Sequence, residues 1–405
     1  MPAFLFCSLD SPGFLYPAIG LAQELRARGN KVAFATDIKC AQLLGDVGLR
    51  RISRGPKDGS SFQLGHWFKP LSVAIQVKHI EYALNLFRAD VLLGQSLTLG
   101  PLIVAERREI PVGLLGFSTY LWPIHDIPRS QEQPSSAQEL LAWRHADMLK
   151  WLNQARQLHR LPSYQAGYRE TPLLGDLYMV RNVPELLTNF CDFPERVHLV
   201  GSCLWEPEFQ DPSFESWIYK ATKPEATLIY VQQGRQFHLP GFWPKLVEAL
   251  KDRDYFVAAS SDRMDKDIGA LPKNFYVRPH LPQGRILQRT HAVVASANTT
   301  VTLGALSAGV PSLLIPGAGE QPDVARLAEQ AGVARVLQPG EATPEAISQA
   351  LRGLLSDPQY KRRATACQAA FSKLNGFETA ADLLEDLART RKPVLRKPMG
   401  LPALC

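Results

Sequence analysis

The chain has 405 residues, 45% hydrophobic and 21% charged, with 45 Lys and Arg against 39 Asp and Glu for a formal charge of +6. At about 150 residues per domain, this length predicts two or three domains with full cores, and the dispersed basic excess, denser only at Arg50–Lys57 and Arg389–Lys397 and not interleaved with aromatics, argues against a nucleic-acid partner. Six scattered cysteines, Cys7, Cys40, Cys191, Cys203, Cys367 and Cys405, lack paired metal spacing, and the most apolar run, Val91–Ala105, falls short of the roughly 20 residues of a membrane span, so a soluble, reduced, cytoplasmic protein without a leader is expected.

In chain order, Ala3–Leu9 (AFLFCSL) reads as a strand running into a glycine loop. Ser60–Pro134 is irregular and aromatic, with Phe62, Trp67, Phe68, Tyr82, Phe87, Phe117, Tyr120 and Trp122. Core packing accounts for most of these, and their composition also suits an apolar pocket. A domain boundary is expected between Glu206 and Lys223, where WEPEFQDPSFES is rich in Pro, acidic residues and Ser. Val293–Val333 then reads as strand, tight loop, helix, strand, acidic-Gln loop, helix. Asn298–Thr300 suit an N-cap, Leu303, Leu306 and Ala308 carry helical periodicity, Gly309 stops the helix, and Val310–Ile315 form a buried strand. A loop entering a helix N-terminus suits a phosphate, and the carboxylate and amide of Glu320-Gln321 can receive hydroxyls. An amphipathic helix, Phe377–Ala388, precedes a tail with three prolines. Strand–helix alternation in both halves predicts an α/β protein of two doubly wound, parallel-sheet, Rossmann-like domains facing across a cleft, with ligands at the carboxyl ends of the strands.

Val293–Val333 resembles the donor-binding signature of the GT-B nucleotide-sugar glycosyltransferases, the bacterial relatives of the UDP-glucuronosyl and plant secondary-metabolite enzymes. The resemblance covers nearly the whole chain. Pro12–Thr36 is similar to the family's glycine loop, first helix and second strand, Val197–Pro207 to the approach to its linker, Ala226–Arg235 to the first strand and phosphate-facing turn of its C-terminal domain, and His280–Val294 to its Pro-Gln and Leu-rich turn. The resemblance implies an acceptor-binding domain over residues 1–210, a donor-binding domain over 211–385 and a basic, Pro-rich tail over 386–405. It also implies inverting transfer of a hexose or deoxyhexose from a UDP- or dTDP-sugar to a small apolar acceptor, aromatic or polyketide, with the nucleotide-sugar as co-substrate and neither cofactor nor metal.

Several positions depart from the family pattern. The family's base, a His in the glycine loop, is Phe14 here, and the carboxylate that orients it matches Gln95. Phenylalanine cannot accept a proton. Asp10, which opens the same loop, is the candidate catalytic residue, with His79, His125 and Asp126 as further substitutes; each also reads as solvated or structural. The family's phosphate-binding His-Gly-Gly pattern is replaced over Ser296–Val301, and its ribose-binding helix glutamate is Gly304, a loss compatible with dTDP. The implied donor set is Gly234, Arg235, His280, Gln283, Ser296, Asn298, Thr299, Thr300, Glu320 and Gln321. Arg235 either replaces the phosphate His or faces solvent, and His280 either stacks on a base or is a plain loop residue. The implied acceptor pocket is Gly13, Phe14, Trp67, His79, Phe117 and Tyr120. Because losses fall in both halves, a non-catalytic binding or auxiliary relative is the competing expectation, with a nucleotide-sugar epimerase a more distant third.

Overall fold

The computed structural model describes residues 1–56, 58–119, 137–167, 170–187, 193–233, 239, 241–251, 254–261 and 271–397. The chain divides into two units: Met1–Pro184 with Thr188–Trp205 and Leu374–Cys405, and Glu206–Lys373 with Glu185–Leu187.

The first unit comprises β1 (Ala3–Ser8), α1 (Pro12–Ala27), β2 (Lys31–Thr36), α2 (Ala41–Asp46), α3 (Pro70–Leu86), β3 (Val91–Gln95), α4 (Gly100–Arg108), β4 (Val112–Leu115), α5 (Ala137–Leu158), β5 (Leu177–Val180) and β6 (Val197–Leu199). Its six strands run in the order β2-β1-β3-β4-β5-β6, with parallel register such as Phe4 opposite Val91 and Phe6 opposite Leu93. Every residue of β1, β3, β4 and β5 is buried, the pattern of parallel strands covered on both faces.

The second unit comprises α6 (Pro212–Ala221), β7 (Thr227–Gln232), α7 (Phe242–Leu250), β8 (Tyr255–Ser260), β9 (Phe275–Arg278), α8 (Gln283–Leu287), β10 (Ala292–Ala295), α9 (Thr299–Ser307), β11 (Ser312–Leu314), α10 (Gln321–Gln330), β12 (Ala334–Val336), α11 (Pro344–Ser356) and α12 (Pro358–Ser372). Its sheet order is β12-β11-β10-β7-β8-β9, again all parallel. Trp243 and Leu246 of α7 and Leu351 of α11 pack with Val231, Val257 and Val294 to form its core.

The final helix, α13 (Gly376–Thr390), corrects the expected domain limits. Residues 374–385 belong with the first unit, because α13 buries Ala380, Ala381, Leu384 and Leu387 against Leu21 and Leu25 of α1 and Leu93 of β3. Two glycines permit this approach. A Cβ on Gly20 would lie 2.2 Å from Phe377, and one on Gly113 would lie 2.9 Å from Leu384. Arg28, at the end of α1, donates to Asp382 at 2.5 Å and Glu385 at 3.1 Å. The following segment also lies on this unit: the Val394 N–H donates to the Asp176 carbonyl at 2.9 Å, and the Arg396 N–H to the Glu195 carbonyl at 2.7 Å.

Leu384 is fully buried against α1 and the sheet, so Leu384→Ala should destabilise the first unit by about 2–5 kcal/mol, the range for a buried Leu truncation. Urea unfolding followed by tryptophan fluorescence measures this. A loss below about 1 kcal/mol would mean that α13 is not part of the core.

Candidate functional site

In doubly wound sheets, ligands collect where the strand order reverses. The reversals fall between β1 and β3 in the first unit and between β7 and β10 in the second. The loops leaving the carboxyl ends of those strands carry most of the residues singled out from sequence.

In the first unit, β1 ends at Ser8 and α1 begins at Pro12, whose fixed φ and missing N–H suit a first helical position. Gly13 and Phe14 fall in this first turn. Gln95, at the end of β3 and only 3% exposed, ties the loop together. Its carbonyl oxygen accepts from the Leu9 N–H at 2.9 Å, and its amide donates to the Phe14 carbonyl at 2.7 Å and to the Ser8 hydroxyl at 3.0 Å. The half-buried Phe14 ring meets the buried Phe117 ring edge-on at 5.2 Å, so an apolar wall stands where the family places its base.

A carboxylate at position 95 would accept but not donate, losing the bond to the Phe14 carbonyl and setting two buried acceptor oxygens against each other. Gln95→Glu should therefore cost about 1–3 kcal/mol in urea unfolding, the penalty for an unsatisfied buried polar group. Wild-type stability in that variant would show that Gln95 does not hold the loop.

Two predicted pocket residues are corrected. Trp67 is 1% exposed and packs on Trp151 at 5.1 Å and Phe68 at 5.5 Å, so it is core. His79 is fully buried, with Nδ1 2.8 Å from the Ser61 hydroxyl and Nε2 2.9 Å from the Ile52 carbonyl. A carbonyl only accepts, so Nε2 carries the proton and Nδ1 accepts from Ser61; neither nitrogen is left to serve a substrate. Asp10 is half-buried, and its Oδ1 accepts from the Leu64 N–H at 2.8 Å while its own N–H donates to the Phe62 carbonyl at 3.0 Å. One carboxylate oxygen thus holds the loop at Leu64. Tyr120, His125 and Asp126 lie outside the described residues.

Burial pushes the imidazoles of His79, His145, His159 and His198, all in the first unit, below their ordinary pKa. The unfolded chain then binds protons more readily, so stability present above the ordinary value of about 6.5 is lost as pH falls through the folded values. Urea midpoints should drop from about pH 7.5 to about pH 5.5. The slope should shrink in His79→Gln, whose amide replaces both hydrogen bonds; an unaltered slope would place the pH dependence elsewhere.

In the second unit, the loop after β10 passes through Ser296, 1% exposed, and Ala297, whose φ of 61° is left-handed. Asn298 then caps α9, its side-chain oxygen accepting from the Val301 N–H at 3.1 Å. That oxygen is therefore structural, while Thr299 and Thr300 form the first turn, at the positive end of the helix dipole. Gln283 opens α8 and donates to the Thr300 carbonyl at 3.3 Å. A Cβ on Gly304 would lie 2.2 Å from the Gln283 amide nitrogen, so this amide fills the space beside Gly304. His280 is half-buried with its ring 6.0 Å from Phe209. Glu320 stands at the N-cap position of α10 without a side-chain capping bond and is partly exposed, whereas Gln321, 2% exposed, accepts from the Gly317 N–H at 2.7 Å and so fixes its own loop. Gly234 and Arg235 lie outside the described residues. Among the described residues, no group of three His, Cys, Asp or Glu could hold a metal ion, and no helix is long and apolar enough to cross a membrane.

Sequence reasoning missed Glu206, whose carboxylate accepts from the Gly284 N–H at 3.0 Å. Its only sequence signal was a place in the linker.

Two parallel sheets with their ligand-facing loops at the strand reversals define the GT-B class. Residues 245–384 match the family described as erythromycin biosynthesis protein CIII-like, C-terminal domain. The chain is 26% identical over 416 residues to demethyllactenocin mycarosyltransferase of Streptomyces fradiae, covering 96% of this chain and 87% of that protein. Its fold is similar to the crystal structure of the glycotransferase of kitacinnamycin, at TM-score 0.72 and 22% identity over 95% of this chain and 99% of that one. It is also similar to glycosyltransferase VinC in complex with dTDP, at TM-score 0.68 and 18% identity over 96% and 99%. The chain thus has the GT-B fold and is similar to glycosyltransferases of the bacterial secondary-metabolite type.

Proposed function

We propose that the chain is an inverting transferase that moves a hexose or deoxyhexose from a dTDP-sugar, with UDP-sugars as poorer donors, to a small apolar acceptor whose hydroxyl is itself acidic, such as a phenol or enol. The observation that carries the acceptor class is the Gln95 clamp, which fixes Phe14 against Phe117 where the family's base would stand. An acceptor that enters as its own anion does not need the factor of about 10² to 10⁴ that a general base supplies.

The donor preference rests on Gln283 and Gly304. A glutamate at 304 would accept from both hydroxyls of a ribose, and here a neutral amide occupies that space, which suits a sugar lacking the 2′-hydroxyl. VinC, of the same fold, was crystallised with dTDP. The diphosphate is assigned to the first turn of α9, where Thr299, Thr300 and the helix dipole neutralise the departing charge. Glu320 is assigned to the sugar hydroxyls, and the reaction to the cytoplasm.

The test is a panel of dTDP- and UDP-sugars against phenolic, polyketide and aliphatic acceptors. Transfer to phenols should follow the acceptor's own pKa across the pH profile, and Phe14→His should raise activity toward aliphatic alcohols by a factor on the order of 10². Micromolar nucleotide binding with neither transfer nor donor hydrolysis would favour the non-catalytic reading, which the simultaneous changes at Phe14, Gln95 and Gly304 also motivate.

A further inference from the structure

The chain leaves the first unit at Trp205, whose ring packs edge-on against Tyr16 of α1 at 5.4 Å, and enters the second at Glu206. Glu206 is half-buried, and its carboxylate takes the Gly284 N–H at 3.0 Å. A Cβ on Gly284 would come within 2.9 Å of the same oxygen and would push the carboxylate out of its present position. The Gln283 N–H also points to this carboxylate. The other side of α8 is fixed by Arg285, which pairs with Glu215 at 2.7 and 2.8 Å. Gln283 itself places its amide beside Gly304 and the Thr300 carbonyl. Glu206 therefore holds the backbone from which the Gln283 amide reaches the first turns of α9. Burial pushes the Glu206 carboxyl above its ordinary range, against the pull of the two N–H groups and Arg285.

We propose that Glu206 is a positioning residue for the nucleoside end of the donor site, acting through Gln283, so that the inter-unit linker forms part of nucleotide recognition. This rests on the reading of the second unit as the nucleotide site. Glu206 touches no reacting atom in this arrangement. Its effect falls chiefly on the nucleoside, because the backbone it fixes leads to the Gln283 amide beside Gly304, whereas Thr300, which that amide also touches, is held independently by β10 and the Asn298 cap.

Calorimetry with dTDP and with inorganic pyrophosphate separates these effects. Glu206→Ala should weaken dTDP binding about tenfold or more while leaving pyrophosphate within about twofold, and Glu206→Gln, which keeps an acceptor oxygen, should recover most of the loss. Gly284→Ala attacks the same contact from the other side and should reproduce the selective loss if Glu206→Ala does not fold. An equal loss for both ligands would make Glu206 merely structural, and unchanged dTDP affinity would also overturn the proposal. A wild-type chain that binds neither dTDP nor UDP would overturn the nucleotide-site reading, and this role with it; one that binds them, with insensitive variants, would overturn only the role of Glu206.

Discussion

The side-chain amide of Gln95 is the contact on which the ligand-facing loop of the first unit depends. The end of β1 presents an N–H at Leu9 and the first turn of α1 presents a carbonyl at Phe14, and a single side chain must accept from one and donate to the other. An amide does both; a carboxylate does not. The departures at Phe14 and Gln95 are thus one change. With no imidazole at position 14, a carboxylate at 95 would be a buried charge without a cationic partner, which is unfavourable. A neutral amide removes that charge and closes the loop.

The second unit shows the same exchange of charge for neutrality. Beside Gly304, where relatives are expected to carry a glutamate, the Gln283 amide packs instead, and the backbone beneath it is held by Glu206 from the linker. The carboxylate remains nearby but points at N–H groups of the protein. On the proposed reading, nucleoside recognition would depend on the placement of that amide, and the placement depends on residues distant in sequence.

The sheets were legible because parallel strands covered on both faces read as apolar runs, and because strand–helix alternation leaves few topologies. Phe14, Gln95 and Ser296–Thr300 lie at or just beyond the carboxyl ends of β1, β3 and β10, beside the strand reversals. Other features escaped for identifiable reasons. The pattern of Phe377–Ala388 shows that a helix buries one face, but not that the face belongs to α1, since that partner lies about 350 residues away in sequence. Trp67 and His79 sit in an irregular stretch without periodicity, so nothing local distinguishes a buried ring from a pocket ring. Asn298 reads equally as N-cap or ligand donor, and only the 3.1 Å contact to Val301 decides which role its oxygen takes. Glu206 was invisible because its partner, Gly284, carries no side chain to suggest pairing.

Whether the altered positions reflect a changed substrate or a lost activity turns on strain. Stability alone explains Gln95 and Gln283, whose hydrogen bonds and packing would be retained in a protein that no longer turns over. It does not explain Ala297. A left-handed alanine costs roughly 1–2 kcal/mol relative to an ordinary backbone, and glycine would adopt that φ without penalty. This residue lies immediately before the cap of α9, at the strand reversal, where backbone direction sets how the first-turn N–H groups meet a diphosphate. Strain of this kind persists where the surrounding structure over-determines it, as also at Phe62 and Cys203, and it clusters at ligand-binding sites. Ala297 is fully buried, so its methyl also excludes water from the base of the loop. On the proposed reading, that fixed backbone holds the first-turn N–H groups in place for a diphosphate although the position of the family's histidine is Ser296 here.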